Sequence, residues 1–375
     1  MKPWKAIALA DLHCGCPRWS PDHFEKCINK FVLPRITDDI TYVFICGDFF
    51  DTSIVMSSLA SYVAVSVISK LKRACHEHHC KLRVLRGTFT HDRDQTKHFL
   101  SVSPEYNDCV KVIDTLSVEV DTDTDTSILY MPDNLRYKDI YQAIDNLYAE
   151  HKIDKVDLVI RHGYFKHMLD PRVPEPSGCL AYEDFKKYYT GCVLNGHVHF
   201  ASTYNNIISV GSFGRLNHGD EMAKGFGVLE RKEDGTYNYS FVENTDAIKF
   251  YTIHLEKYGH DKDLDDAITY LKSEWFDKLE HGGDLVHVRL IAEDRQLTDA
   301  LTDMLTDKFK NVRVDRYNVP KREQVIENVA TDLSELEVIT PANLESLLMP
   351  LVKQADSSIT QEEVHEILDK CKAAK

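Results

Sequence analysis

The chain has 375 residues, of which 43% are hydrophobic and 28% charged, with a formal net charge of −15. That length buries a large core in two or three structural units, and the composition is that of a soluble globular protein. No stretch approaches the ~20 apolar residues of a membrane span, and the acidic balance argues against a free-standing nucleic-acid binder, whose phosphate contacts need a basic surface.

The first ten residues, Met1-Lys-Pro-Trp-Lys-Ala-Ile-Ala-Leu-Ala, hold too short an apolar region for a signal peptide and lead straight into Asp11, so they read as a first strand. Residues 6–10, 42–46, 82–86, 127–131, 156–161, 192–195 and 206–210 are short apolar or β-branched runs that predict buried strands. Between the second and third lies a predicted helix, Ser57 to Cys80, with an apolar face through Leu59, Val63, Val67 and Leu71. Strands alternating with helices predict layered α/β sheets with a loop-built site at strand ends. The character changes near residue 249. Lys249–Leu255, Leu285–Ile291 and Val312–Val319 read as strands, and Leu264–Leu279 and Thr298–Phe309 as helices, a βαβαβ series that would make a small separate domain. Beyond Lys321, Thr340-Pro-Ala-Asn and Ser358-Ile-Thr-Gln-Glu-Glu each resemble a capped helix start ahead of an apolar stripe.

Ten cysteines are scattered without regular spacing, and several, such as Cys46 and Cys192, sit inside apolar runs. That pattern suits reduced thiols in a cytosolic protein. Roughly two-thirds of the negative excess falls after residue 250, which leaves room for a local basic groove earlier in the chain.

Five motifs follow one another at predicted strand ends: Asp11-Leu-His13, Gly47-Asp48-Phe-Phe-Asp51, Gly87-Thr-Phe-Thr90-His91-Asp92, His162-Gly163 and Gly196-His197-Val-His199. Taken singly each is weak, because an isolated histidine is more often packed or solvated than a ligand. Five in order offer carboxylates and imidazoles suited to two divalent metal ions. A pair of ions ~3.5–4 Å apart lowers the pKa of a water and clamps phosphoryl oxygens, the chemistry of phosphodiester hydrolysis. A mixed oxygen and nitrogen set with few thiolates favours Mn²⁺ or Fe. Asp48, after Val43-Phe44-Ile45-Cys46, is the natural bridging carboxylate, and Asp11 with His13 and His197 with His199 share an i, i+2 spacing.

These motifs resemble the calcineurin-like metallophosphoesterase family. Gly47-Asp-Phe-Phe-Asp51 and Gly211-Ser-Phe-Gly-Arg215 are similar to the SbcD/Mre-type DNA-repair nucleases, including their phage counterparts. The resemblance implies a four-layer αββα metallophosphoesterase sandwich over residues 1–248. It implies a small α/β capping domain over 249–320, and C-terminal helices over 321–375 that dock an SbcC/Rad-type ATPase. It implies a homodimer formed through the 57–80 helix, and two divalent metals, Mn²⁺ or Mg²⁺, acting on DNA. Asp11, His13, Asp48 and His199 would hold the first ion; Asp48, His162, His197 and the residue at the family's asparagine position would hold the second. His91 would orient the scissile phosphate and help protonate the leaving oxygen, and Asp51 and Asp92 would hold His91 or a ligand histidine in place.

The third motif departs from the family's Gly-Asn-His-Asp. Two residues are inserted, and Thr90 stands in the asparagine place as a poorer, neutral ligand. Arg215 and His218 are candidate phosphate contacts, and Trp19, Tyr106, Tyr164 and Phe165 candidate base-stacking rings. Cys75-His-Glu-His-His-Cys80 lacks the paired spacing of a zinc site and reads as a solvated helix end. Asp121-Thr-Asp-Thr-Asp-Thr reads as an acidic turn. Cys14 and Cys16 flank the first motif and read as inert buried thiols. Two other functions fit the residues: a stand-alone phosphoesterase acting on small phosphoesters, and a non-catalytic DNA-tethering scaffold with a degenerate site.

Overall fold

The computed structural model describes residues 2–55, 57–133, 139–169, 172, 174–258 and 260–318. Its strands are β1 (Trp4–Leu9), β2 (Ile40–Cys46), β3 (Lys81–Leu85), β4 (Val110–Ile113), β5 (Ser117–Asp121), β6 (Thr126–Met131), β7 (Val156–His162), β8 (Tyr189–Gly196), β9 (Ser202–Tyr204), β10 (Ile207–Ser209), β11 (Gly225–Arg231), β12 (Tyr237–Glu243), β13 (Lys249–His254), β14 (Val286–Ala292) and β15 (Val312–Asn318). Its α-helices are α1 (Pro21–Cys27), α2 (Leu59–Glu77), α3 (His98–Ser101), α4 (Ile140–His151), α5 (Tyr182–Phe185), α6 (His260–Glu274), α7 (Phe276–Glu280) and α8 (Arg295–Lys308). The chain is mixed α/β.

Two six-stranded sheets run in the orders β12-β11-β1-β2-β3-β4 and β5-β6-β7-β8-β10-β9. β1 to β4 are parallel, as are β6, β7, β8 and β10, while β11, β12, β5 and β9 add antiparallel strands at the flanks. Alternation along the strands divides the core. Ala6, Ala8, Tyr42 and Phe44 of the first sheet share one apolar cluster with Ile128, Tyr130, Leu158, Ile160 and Leu194 of the second. Ala6 pairs with Tyr42 and Ala8 with Phe44, so small residues sit beside large ones in this layer. Ile7, Leu9, Val43 and Ile45 turn the other way, onto Val63, Val67 and Leu71 of α2. On the second sheet, Leu129, Val159 and Val193 pack with Ile144 and Tyr148 of α4. Strands buried on both faces need the near-continuous apolar runs seen in the sequence.

Side-chain caps start the long helices. Ser58 accepts from Ser61 N at α2, Asp139 from Gln142 N at α4, and Asp294 from Gln296 N and Leu297 N at α8. Leu59, expected on the buried face of α2, is its first residue and is 56% exposed; the buried face begins at Val63 and Ala64. The antiparallel strands β11 and β12 escaped the sequence reading because β12 alternates polar and apolar residues at a sheet edge.

The alternating series from Lys249 onward is present as β13, α6, α7, β14, α8 and β15. Its three strands form their own sheet, with Ile253, Leu271, Val288, Leu290, Leu301 and Leu305 in a separate core. Residues Met1–Tyr317 make one compact unit. The helix starts expected at Thr340 and Ser358 lie outside the described residues. Among the described residues no helix is long and apolar enough to cross a membrane.

Register places the site. Leu9 pairs with Ile45, Cys46 with Leu85, and His162 with Gly196, so β1, β2 and β3 end level with one another, as do β7 and β8. The five motifs occupy the loops that leave these carboxyl ends, where parallel sheets leave room for ligands.

Candidate metal centre

Four motif residues adopt a left-handed backbone immediately past a strand: Asp11 (φ 48°), His13 (φ 46°), Asp48 (φ 51°) and His197 (φ 85°). Such conformations cost non-glycine residues of order 1–3 kcal/mol each and persist where surrounding contacts over-determine them. The contacts are present. Asp11 N donates to Gly47 O at 3.1 Å, His13 N to Asp48 O at 3.1 Å, and His197 N to both Asp11 carboxylate oxygens at 3.0 and 2.9 Å. Gly47 and Gly87 permit the close approach. A Cβ on Gly47 would lie 2.2 Å from His162 Nδ1, and one on Gly87 would lie 2.2 Å from Asp48.

The first group is Asp11, His13 and His199, whose candidate ligand atoms lie within 4.8 Å of one another. Asp11 is fully buried; burial pushes its carboxyl pKa up, and the nearby His162 and His199 partly offset this. His199 is kept neutral by burial, as a ligand imidazole must be. Both ring nitrogens of His13 are buried without a well-formed hydrogen bond; the Asp51 carboxylate lies 3.2 Å from Nδ1, and although burial opposes protonation, Asp51 and Asp11 raise the ring's pKa. An imidazole buried in this way costs several kcal/mol unless something completes it. A cation held with the Asp11 carboxylate and the His199 imidazole would do so, and the donor set therefore fits a divalent metal.

The second group is Asp48, His162 and His197. His162 Nδ1 donates to Cys46 O at 2.8 Å, which fixes the ring and turns Nε2 toward the group. Nε2 then lies 3.2 Å from Asp48 Oδ2 and 3.2 Å from His197 Nδ1. Burial opposes protonation of His162, but Asp48 overrides it and raises the ring to about 10. Burial likewise opposes ionisation of Asp48, and His162 overrides it and holds the carboxyl well below its ordinary range. Burial and the neighbouring His162 push His197 down to about 3.

The structure corrects one ligand. Thr90, expected in the asparagine place, is exposed at the tip of a turn that Thr88 O closes by accepting from His91 N and Asp92 N. Thr88 stands beside the second group instead. Its N donates to Asp48 Oδ1 at 2.6 Å, and its Oγ1 lies 3.1 Å from Asp48 Oδ2, 3.3 Å from His162 Nε2 and 3.3 Å from His197 Nδ1. The two inserted residues, Phe89 and Thr90, loop outward after Thr88, and the chain returns at His91. Matching Gly87-Thr88 directly to Gly-Asn, with the insertion after it, is the signal that would have found this.

His91 stands beside both groups. Its ring meets His13 edge-on with centroids 4.7 Å apart, and with His13 and Asp51 it forms a third cluster of candidate ligand atoms. Its Nδ1 donates to the Asp51 carbonyl, leaving Nε2 free. Asp51 thus touches both His91 and His13. Asp92 does not hold a histidine: it accepts from Asp48 N, Phe50 N and Gly87 N at 3.0, 3.0 and 2.7 Å, pinning two motif loops together. Burial and Asp48 raise its pKa to about 6.

Other expectations meet a different fate. Arg215 Nη1 donates to Ala247 O at 3.1 Å and approaches Ile248 O at 3.5 Å, so this nitrogen ties down the start of β13 rather than standing free for a phosphate. His218 lies between Asp315 and Thr252. Trp19 and Phe165 are core residues, Tyr106 packs on His76, and Tyr164 meets the His197 ring edge-on at 4.3 Å. The cysteines described are all free thiols; burial raises Cys14 well above its ordinary range and Cys16 to about 11. Cys75 to Cys80 closes α2 and is not among the clusters able to hold a metal in the described residues.

Sequence reasoning also missed Asn195. It is fully buried; Nδ2 donates to Gly163 O at 2.9 Å and Gly196 O at 2.7 Å, and Oδ1 accepts from Arg161 Nη1 at 3.3 Å. Arg161 Nη2 in turn donates to Gly178 O at 2.8 Å. One amide thereby ties the loop after His162 to the end of β8, just ahead of His197. A polar residue ending the apolar run Cys192-Val-Leu194 was the available signal.

Neither a known protein family nor a curated protein matches the chain. One solved crystal structure is similar at 11% identity over 64% of this chain and 99% of the other, with a TM-score of 0.37, a likeness too slight to carry an argument.

Proposed function

We propose that the chain is a dinuclear-metal phosphodiesterase that cleaves DNA, the nuclease subunit of an SbcCD-like repair complex built on a four-layer metallophosphoesterase sandwich. The observation that carries the reading is the pair of ligand groups, Asp11-His13-His199 and Asp48-His162-His197, joined where His197 N donates to the Asp11 carboxylate. Asp11, His13, Asp48 and His199 would hold one ion, and Asp48, His162, His197 and Thr88 the other. Two divalent ions, Mn²⁺ or Mg²⁺, supply neutralisation of phosphoryl charge and acidification of a water. The protein's own part is positional. Asp92 and Asn195 hold the loops, the Asp51 carbonyl sets the tautomer of His91, and His91 Nε2 exchanges a proton with the leaving oxygen.

Two sheets sharing one core with helices on their outer faces support the sandwich, and the α2 helix supports a homodimer, with a partner ATPase docked through the segment beyond Lys321. The deciding experiment is a nuclease assay on labelled duplex and single-stranded DNA with Mn²⁺ or Mg²⁺, comparing wild type with Asp48→Ala, with and without an SbcC/Rad-type ATPase. Metal-dependent cleavage lost in Asp48→Ala is the expected result; no cleavage under any condition would sink the proposal. The net charge of −15 favours one other reading, a phosphoesterase acting on small substrates. Faster turnover of small phosphodiesters than of DNA under matched conditions would select it.

A further inference from the structure

Two cysteines bracket the end of α2. The helix stops in a turn in which His79 takes a left-handed backbone (φ 56°), His79 N donates to His76 O at 3.2 Å and Cys80 N donates to Cys75 O at 2.7 Å. This paired 5→2 and 6→1 closure brings the side chains of its first and last residues together. Residues five apart lie about 16 Å from each other in an extended chain and about 7.5 Å along a continued helix. The reversal is therefore what sets Cys75 against Cys80. It also sorts the run Cys75-His-Glu-His-His-Cys80: the two thiols are buried, while His76 and His78 turn outward to Asp108 and Asp38. The Cys75 thiol donates to the Cys80 sulfur, and the Cys80 thiol donates to Ile40 O at 3.0 Å. A plain apolar contact is common in such a turn, and a valine or leucine pair would supply it. Two thiols in contact add a reaction.

We propose that Cys75 and Cys80 are a redox-modified dithiol that closes to a disulfide on exposure to a peroxide, locking the end of α2 to the start of β3. The hydrogen bond from Cys75 holds the Cys80 thiol below its ordinary value against the opposing effect of burial, and holds Cys75 well above its own. Cys80 is accordingly the attacking sulfur. Its thiolate takes one peroxide oxygen, the O–O bond breaks with loss of hydroxide, and a sulfenic acid forms. The Cys75 sulfur then attacks the sulfenic sulfur, the S–S bond forms and a second hydroxide leaves. The sulfurs lose two electrons, the peroxide gains them, and the two thiol protons complete two waters. Helix ends are where a fold opens locally, which admits a molecule as small as peroxide to buried sulfurs. Cys109 Sγ, which donates to Lys72 O at 3.7 Å one turn back along α2, is the rival partner.

The test uses the full-length protein and one peptide, because the tryptic fragment Ala74–Lys81 carries both cysteines. The protein is treated with hydrogen peroxide, quenched, and unfolded in an alkylating reagent before digestion. The fragment should appear unalkylated and two hydrogens lighter, and dithiothreitol should restore it. It should form about tenfold faster than Cys46 and Cys192 oxidise, which are as deeply buried and have no thiol in hydrogen-bond contact among the described residues. Cys75→Ser should leave Cys80 as a sulfenic acid that dimedone traps, and Cys80→Ser should leave Cys75 reduced over the same time. Full alkylation of both cysteines after oxidation overturns the proposal, as does closure no faster than the loss of Cys46 and Cys192. A Cys75–Cys109 link, or Cys75 oxidising as quickly in Cys80→Ser, overturns it as well.

Discussion

At the scale of single residues, Thr88 sets the character of the centre. A threonine hydroxyl is a weaker neutral ligand than a carboxamide oxygen, so the second ion should bind less tightly than the first. Thr88→Asn should tighten the weaker of two Mn²⁺ binding events by about tenfold in titration calorimetry, the scale on which metal sites respond to a change of partner. An unchanged second event would remove Thr88 from the ligand set. His91 is placed to exchange protons and sits outside the two principal groups. His91→Ala should therefore lower kcat on a phosphodiester by about 10²-fold or more while leaving two Mn²⁺ bound per chain. Asp11, His13, Asp48, His162, His197 and His199 were legible as candidate ligands because each follows an apolar strand run. Thr90 was misread because an insertion can be placed on either side of a residue in sequence, and only the hydrogen bond from Thr88 N to Asp48 decides between them.

At the scale of elements, the parallel strands β1 to β3 and the long helix were readable because burial imposes periodicity. Val63, Val67 and Leu71 recur at the helical repeat and meet Val43 and Ile45 in one core. Leu71 is fully buried, and Leu71→Ala should cost about 2–5 kcal/mol of unfolding free energy in chemical denaturation. The contribution of Asn195 was not readable, because Gly163 O and the Arg161 guanidinium reach it from the neighbouring strand β7 and the loop after it. Asn195→Ala should leave Gly163 O and Gly196 O without their donor and weaken Mn²⁺ binding by about 10–100-fold. Binding at wild-type affinity would show that the loops hold their shape without it.

At the scale of the whole molecule, polar contacts lock the two large sheets together. Tyr42 donates to Asp121 Oδ2 at 2.5 Å, Trp4 to Thr126 at 2.9 Å, and Arg83 Nη2 to Glu119 Oε1 at 2.7 Å, each spanning first sheet to second. Burial opposes ionisation of Glu119, but Arg83 overrides it and holds the carboxyl below its ordinary value. A lowered folded-state pKa means that this stabilisation is complete above the unfolded value of about 4.3 and is lost as pH falls through the folded one. Glu119→Gln should therefore lower stability by about 1–3 kcal/mol at pH 7. The deficit should shrink toward zero on acidification below pH ~4, as read by denaturant melts across pH. A constant deficit at all pH values would assign the loss to packing. Metal linkage acts at the same scale: Mn²⁺ should raise the melting temperature and chelation reverse it, because a ligand of the folded state stabilises by mass action.

The sequence by itself determined the α/β class, the order of the candidate ligands and their placement at strand ends, because burial and metal chemistry each restrict which residue types can occupy a position. It also contained the insertion and its phenylalanine without showing where either would go. The tertiary structure decided which threonine stands beside Asp48, His162 and His197, that Asp92 and Asn195 serve the main chain, and that an Arg215 nitrogen is bound to the loop before β13. Those outcomes depend on contacts between segments far apart in the chain, such as His197 N on the Asp11 carboxylate across 186 residues. No local pattern encodes the angle at which two loops meet.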